Sequence, residues 1–165
     1  FGVDTLELAR RKGVYFIEHY DRTIPPELED CVINVKDVRN EDYFPYVYEK
    51  LEPILRESIE RGEKWFVYQD LSVLYTQRGA DFVKNTYSRD SAMIRAMGMT
   101  ALSLCNFTEI GPENASYLER ATQTVVRTWV DRNYQYLQVT KSVTGKVSAP
   151  MIVETVSVEP FIRLV

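Results

Sequence analysis

The sequence predicts a helix-rich α+β domain, with four or five helices followed by a C-terminal β-hairpin or small antiparallel sheet. The chain has 165 residues, of which 45% are hydrophobic and 27% are charged. This length and composition are typical of one globular domain with its own core. Apolar residues recur at helical spacing in several segments before residue 137, and the pattern then changes to alternation. We therefore expect residues 1–165 to form a single domain.

The first segments predict a short helix, a β-rich stretch and a strand. Asp4 followed by Glu7 resembles a capping box, so a helix is expected over about residues 5–12. Gly13 interrupts this helix, and "VYFIEHY" after it is compatible with a strand or with a resumed helix. "TIPPELED" is expected to be a linker because its two prolines resist regular structure. The β-branched residues of 31–36 predict a short strand.

A long helix is predicted over residues 40–61. Its apolar residues have helical spacing, Asn40 can cap its start, and Gly62 can end it. Pro53 is expected to kink this helix, because proline lacks the amide hydrogen that a helix interior needs. The next segment, "KWFVYQD", is compatible with a strand or with the start of another helix.

Two further helices and two strands are predicted in the second half. Ser88 or Asp90 can cap an apolar helix that extends to about Phe107, and residues 114–136 have the clearest amphipathic pattern. "LQVTKSVTGKV" then alternates between apolar and polar residues, "TGK" predicts a turn, and "MIVETVSVEP" predicts a second strand.

Composition argues against several functions. The formal net charge is −4 and the longest basic run has three residues, which disfavours nucleic acid as a partner. The two cysteines, Cys31 and Cys105, have no metal-ligand spacing, so we predict no metal site. The pair could form one disulfide, but two buried thiols are the favoured interpretation. No segment reaches the length of a membrane span.

Short motifs predict neither a cofactor nor a compartment. GxGxxG, GxSxG and P-loop sequences do not occur, and "SVTGK" lacks the upstream glycine of a phosphate-binding loop. We therefore predict no cofactor, and no motif indicates a known family. The chain begins at Phe1 without a visible signal peptide, so we expect that an upstream part was removed. A location inside a cell, organelle or particle is favoured over secretion.

His19 is the only histidine of the chain, and Glu18 and Asp21 lie close to it in the sequence. Adjacent residues do not share a face of a helix or strand, which excludes Glu18 as a partner of His19. On a strand, His19 and Asp21 would share a face and could form a base with an orienting carboxylate. No nucleophile is evident, so a structural histidine is the favoured interpretation and no catalytic residue is predicted.

Two apolar features predict contacts with other proteins. Aromatic residues spread around most of a helical turn in "DYFPYVY", and one core cannot cover all of them. The tail at residues 160–165 is apolar at a chain end, where it can close its own sheet or pair with a neighbour. The predicted protein-binding residues are Tyr43, Tyr46, Tyr48, Phe161, Ile162, Leu164 and Val165.

These observations favour a non-catalytic structural or adaptor subunit of a larger assembly, such as a viral or phage particle or an organellar complex. Its predicted partners are protein subunits of the same or a different chain. The first alternative is a small hydrolase that uses His19 with Asp21. The second is a ligand-binding or sensor module with its pocket between the aromatic helix and residues 89–107.

Overall fold

The computed structural model describes residues 4–20, 22–158 and 162–165. The chain divides into two compact units, unit 1 (Phe1–Asn106) and unit 2 (Phe107–Val165). The α+β class is confirmed, since helices precede a C-terminal antiparallel sheet of four strands. The organisation as one domain stays a prediction.

Unit 1 combines helices with two short pairs of parallel strands. In chain order its elements are α1 (Thr5–Arg10), β1 (Phe16–Glu18), a 3₁₀ helix (Pro26–Cys31), β2 (Val32–Asn34), α2 (Tyr43–Glu60), β3 (Phe66–Asp70), α3 (Leu71–Arg78), α4 (Ala80–Ala96) and β4 (Thr100–Leu104).

Unit 2 places two helices before an antiparallel sheet whose strands lie in the order β5-β6-β7-β8. Its elements are α5 (Phe107–Ile110), α6 (Pro112–Ala121), β5 (Val125–Asp131), β6 (Tyr134–Lys141), β7 (Met151–Thr155) and β8 (Ile162–Leu164).

The start of the chain follows the predicted pattern closely. The side chain of Asp4 accepts a hydrogen bond of 3.0 Å from the amide of Glu7, as the N-cap of α1. The segment after Gly13 forms β1, which decides between the strand and the resumed helix. "TIPPELED" is not wholly irregular, because Pro26 begins the 3₁₀ helix at a position that needs no amide hydrogen.

The predicted helix of residues 40–61 is present as α2, with its start displaced. Asn40 does not cap it, because the Asn40 side-chain amide donates to the carbonyl of Arg78 at 3.0 Å. Asp42 takes the N-cap position, and the helix continues through Pro53. The helix ends at Glu60. Gly62, two residues further on, has a φ of 78°, a left-handed conformation that favours glycine.

The apolar helix predicted to reach Phe107 is wrong. α4 ends at Ala96, and Ser88 and Asp90 lie inside it. Gly98 has a φ of 70°, a left-handed conformation that ends the helix, and the apolar residues after it form β4. A short apolar run fits a buried helix and a parallel strand equally well, so periodicity alone could not separate them.

The helix predicted over residues 114–136 is also wrong in its second half. α6 ends at Ala121, and the β-branched "TQTVVRTWV" enters β5. Arg132, with a φ of 55°, lies in the turn between β5 and β6. The predicted hairpin of the C-terminal strands is confirmed by the antiparallel pairing of β6 with β7.

Both strand pairs of unit 1 are parallel, a feature that the sequence did not indicate. Phe16 pairs with Val32 in the first, and Phe66 with Thr100 in the second. Paired residues of a parallel ladder share a face. Gln69 and Ser103 therefore lie on one face, and the exposed Tyr68 and Leu102 lie on the other.

No helix among the described residues is long and apolar enough to cross a membrane.

Each unit has its own buried apolar residues. The buried apolar side chains of unit 1 are Ala9, Cys31, Ile33, Val35, Tyr43, Val47, Leu55, Leu71, Phe82, Val83, Tyr87 and Ile94, and those of unit 2 are Ile110, Ala115, Leu118 and Val125.

Truncation of Leu118 to alanine is expected to destabilise unit 2 by about 2–5 kcal/mol, because this side chain is 4% exposed and its loss leaves a cavity. Leu164→Ala is the matched control, since Leu164 is 45% exposed, and should cost less than about 0.5 kcal/mol. Urea unfolding followed by Trp129 fluorescence in a Trp65→Phe background measures both. Equal losses in the two variants would contradict the described core.

Candidate ligand site at the carboxyl ends of the parallel strands

The parallel pairs of unit 1 concentrate polar side chains where their strands end. In sheets of parallel strands, ligands bind outside the carboxyl ends, because loops and helix starts converge there. β1 and β2 end at Glu18 and Asn34, and β3 and β4 end at Asp70 and Leu104. These two edges are therefore the places to look for a site.

The edge of β3 and β4 carries two groups of hydrogen-bonded polar residues. The side-chain amide of Gln69 donates to Ser103 Oγ at 2.7 Å, and the hydroxyls of Tyr87 and Ser103 lie 3.5 Å apart. The backbone amide of Asn106 donates to Ser72 Oγ at 2.8 Å, which ties the segment after β4 to the start of α3. We call Gln69, Asp70, Ser72 and Ser103 the β3–β4 edge cluster.

Asp70 is the exposed acid of this cluster. Its Oδ1 accepts hydrogen bonds from the amides of Ser72 at 2.9 Å and Val73 at 3.4 Å, so Asp70 is the N-cap of α3. Among the described residues no group contacts Oδ2. The two cap hydrogen bonds thus fix the carboxylate at the end of β3 through Oδ1.

The edge of β1 and β2 has a different character, because aromatic and cationic side chains fill it. His19 directly follows β1, and its ring stacks on Tyr43 with the ring centroids 5.8 Å apart. His19 Nε2 lies 3.4 Å from the Tyr43 hydroxyl oxygen. The guanidinium carbon of Arg78 lies 4.8 Å from the centre of the Tyr43 ring. We call His19, Tyr43 and Arg78 the His19 cluster.

Burial shifts the pKa values of the two titratable rings of this cluster, His19 and Tyr43. Desolvation, followed by the positive charge of Arg78, lowers the pKa of His19 below its usual value, against an opposing effect of Glu18. Burial also raises the pKa of Tyr43 to about 12. Neutral rings are therefore favoured on both sides of the stack.

Arg78 is held by the backbone. Its guanidinium donates to the carbonyls of Val35 and Val38, in the segment that joins β2 to α2. The Asn40 side chain returns a hydrogen bond to the Arg78 carbonyl. Hydrogen bonds donated from each side therefore join the end of α3 to the segment between β2 and α2.

The residues predicted to bind other proteins are distributed over both units. Tyr43 is 5% exposed and lies in the core, while Tyr48 is 40% exposed. Tyr46 is half-buried, with the Lys50 ammonium 5.8 Å from the centre of its ring. The exposed tail residues Ile162 and Leu164 lie in β8, which pairs with β7, and Val165 follows them. Phe161 lies outside the described residues, and partner contacts of this set stay a prediction.

The hydrolase alternative required Asp21, which lies outside the described residues. The described ring contact and hydrogen-bond contact of His19 are both with Tyr43, and Glu18, the described carboxylate that acts on its pKa, accepts a hydrogen bond from the amide of Tyr20. Cys31 and Cys105 are not joined by a disulfide, and Cys31 Sγ donates to the carbonyl of Ala9 at 3.4 Å.

Within the described part of the chain, no three acidic, histidine or cysteine side chains come together to hold a metal ion.

An open cavity of about 480 Å³ lies in unit 2, with Arg127 among its lining residues. Arg127 is paired there with Glu119 and lies over the Phe107 ring, so its charge is already compensated.

The β3–β4 edge cluster was missed by sequence reasoning. One signal could have indicated it, because "KWFVYQD" ends in an acid directly before "LSV", which is typical of a strand followed by a capped helix. Ser103 carried no such signal, since its place beside Gln69 depends on the pairing of β3 with β4.

The comparison with solved structures supports the fold alone, and the comparisons of sequence found no match. No protein-family model matches the sequence, and no curated protein matches it. The structure is similar to the crystal structure of a KaiC-like protein from the hyperthermophilic archaeon Pyrococcus horikoshii, with a TM-score of 0.53 and 12% sequence identity. The likeness covers 97% of this chain and 80% of that chain.

This likeness corrects the function predicted from the sequence. The interpretation as a structural or adaptor subunit of an assembly, and as a virion component, is wrong, because the chain has the fold of a KaiC-like protein along almost its whole length. That interpretation relied on absent catalytic motifs, on the excess of tyrosine and on the apolar C-terminal tail, and none of these observations reports on the fold.

The pKa of Asp90 tests the burial of its carboxyl group in α4. Burial raises its pKa to about 7, against the opposing effect of Arg89 at 3.9 Å. The folded protein therefore holds a proton that the unfolded chain releases near its usual pKa, so this group's contribution to stability is present at low pH and is lost as the pH rises through 7.

We expect Asp90→Asn to remove this loss, so that the variant gains stability relative to the wild type between pH 5 and 8. Asp81→Asn, which changes an exposed acid of the same helix, should leave the pH dependence as in the wild type. Urea unfolding at several pH values measures the difference. Parallel pH profiles for the wild type and Asp90→Asn would contradict the burial of this carboxyl group.

Proposed function

We propose that unit 1 binds a phosphorylated ligand of the nucleotide class together with a divalent cation, at the β3–β4 edge cluster. The observation that supports this proposal above the others is Asp70, an exposed acid at the carboxyl end of a parallel strand. Ligands bind at such edges in parallel sheets. In P-loop nucleotide hydrolases an aspartate helps to hold the magnesium ion of the nucleotide.

The chemistry of Asp70 fits one ligand of a magnesium ion. Magnesium keeps several waters and binds through one or two carboxylates and the phosphates of its nucleotide, so a cage of three acids is not required. Asp70 Oδ1 is engaged by the amides of α3, and the second oxygen can face the cation. The Gln69 side chain, which donates to Ser103, is a further polar group at the carboxyl end of β3, on the face of the strand opposite to Asp70.

The 165 residues contain no GxxxxGK[ST] sequence. In this proposal the chain therefore contributes the cation ligand and polar groups of the edge, and it does not itself contribute a glycine-rich phosphate loop. The similarity to a KaiC-like protein supports the fold on which the site depends. Binding is what we propose, and no reaction is assigned to the site.

Substitution of Asp70 by asparagine tests the proposal, because asparagine caps a helix as well as aspartate does but lacks the charge. We expect Asp70→Asn to weaken binding of an N-methylanthraniloyl nucleotide in magnesium at least about tenfold, or about 1.4 kcal/mol. Fluorescence anisotropy measures this affinity, and thermal unfolding checks that the fold is retained.

Asp81→Asn is the matched control, since Asp81 is also an exposed acid at the start of a helix but does not end a strand. It should bind as the wild type does, and chelation of magnesium by EDTA should abolish the difference between Asp70→Asn and wild type. The proposal is wrong if the wild type shows no magnesium-dependent binding, or if both variants bind equally.

A further inference from the structure

The His19 cluster has no part in the proposed ligand site, yet it joins three elements of unit 1. His19 follows β1, Tyr43 begins α2, and Arg78 ends α3. The described hydrogen bonds hold Arg78 in place more firmly than they hold His19. That difference determines which of the two cations would leave if both side chains were charged.

Arg78 is the fixed member. It donates to two backbone carbonyls, and Val35, which supplies one of them, is 0% exposed. Displacement of the guanidinium would leave a buried carbonyl with one partner fewer, since the Val38 amide at 3.1 Å is the other. Arg78 therefore stays in place as the pH changes.

His19 is the movable member. Its one described hydrogen-bond contact is the 3.4 Å approach to the Tyr43 hydroxyl, and Nδ1 is buried without a partner among the described residues. A neutral imidazole tolerates this environment through stacking on Tyr43. An imidazolium does not, because burial and the charge of Arg78 both oppose it.

We propose that protonation of His19 releases its ring from Tyr43, and that the neutral ring holds the end of β1 against α2. Among the described residues, the charged and titratable groups around the stack are Glu18 on β1, Arg78 on α3, and Arg89 and Asp90 on α4. Glu18 favours the imidazolium, but it is also bound to the amide of Tyr20 at 2.7 Å. Asp90 faces the Tyr43 side of the stack and opposes ionisation of that hydroxyl.

The dependence of His19 docking on pH follows from the difference between its two pKa values. Because the pKa of His19 is lowered in the folded protein, the unfolded chain binds the proton more tightly than the docked ring does. Docking of His19 is therefore complete above the usual histidine pKa, and it is lost as the pH falls through the lower pKa of the docked ring.

Nuclear magnetic resonance tests this directly, since the single histidine of the chain gives one unambiguous titration. We expect the contact between the His19 and Tyr43 ring protons to disappear as His19 is protonated. The ratio of released to docked ring should rise about tenfold for each pH unit below the midpoint, as a one-proton process requires. Persistence of the ring contact through the titration would overturn the proposal.

Two variants separate charge from packing. Arg78→Met removes the positive charge and keeps an apolar stem, so the His19 pKa should rise toward its usual value, while Arg78→Lys keeps the charge and should leave the pKa low. An identical His19 titration in Arg78→Met, Arg78→Lys and wild type would show that Arg78 does not drive the release. The wild-type ring contact decides the main claim if either variant fails to fold.

Discussion

The parallel pairing of β3 with β4 is the constraint on which the candidate site depends. Parallel strands need a crossover between them, and α3 and α4 provide it in this chain. The register Gln69 to Ser103 brings two side chains together that are 34 positions apart in the sequence. Without this pairing Asp70 would be a helix cap on an ordinary surface, not an acid at the carboxyl end of a parallel strand.

α3 connects the two edges of unit 1, because it begins directly after Asp70 and ends at Arg78. One end of the helix holds an exposed carboxylate, and the other holds a guanidinium fixed by carbonyls of the β2–α2 segment. The β3–β4 edge is polar and open at Asp70, whereas the β1–β2 edge is filled by His19, Tyr43 and Arg78. The Asp70 carboxylate is exposed, whereas the Glu18 side chain at the end of β1 is 15% exposed and accepts from the amide of Tyr20, and this difference is the reason for placing the ligand at Asp70.

How far the sequence predicted this structure depended on whether a signal was local. Asp4 and Glu7 identified the first helix cap, and alternation after residue 137 identified the C-terminal strands, because both patterns involve neighbouring residues. β4 was predicted as helix, since a short apolar run does not reveal its strand partner, and only Gly98 indicated the end of α4. Ser103 and the stack of His19 on Tyr43 depend on tertiary contacts, so no local pattern could indicate them.

His19 is better explained by a role in conformation than by a contribution to stability. A buried polar atom without a partner costs about 1–3 kcal/mol, and Nδ1 is such an atom among the described residues. An apolar ring at this position would stack on Tyr43 without that cost, and it would not be repelled by Arg78 on acidification. The property that only histidine supplies here is the change of charge near neutral pH. The unpartnered Nδ1 and the lowered pKa of His19 therefore have one origin, which is the burial of a titratable ring against Tyr43, within the electrostatic reach of Arg78.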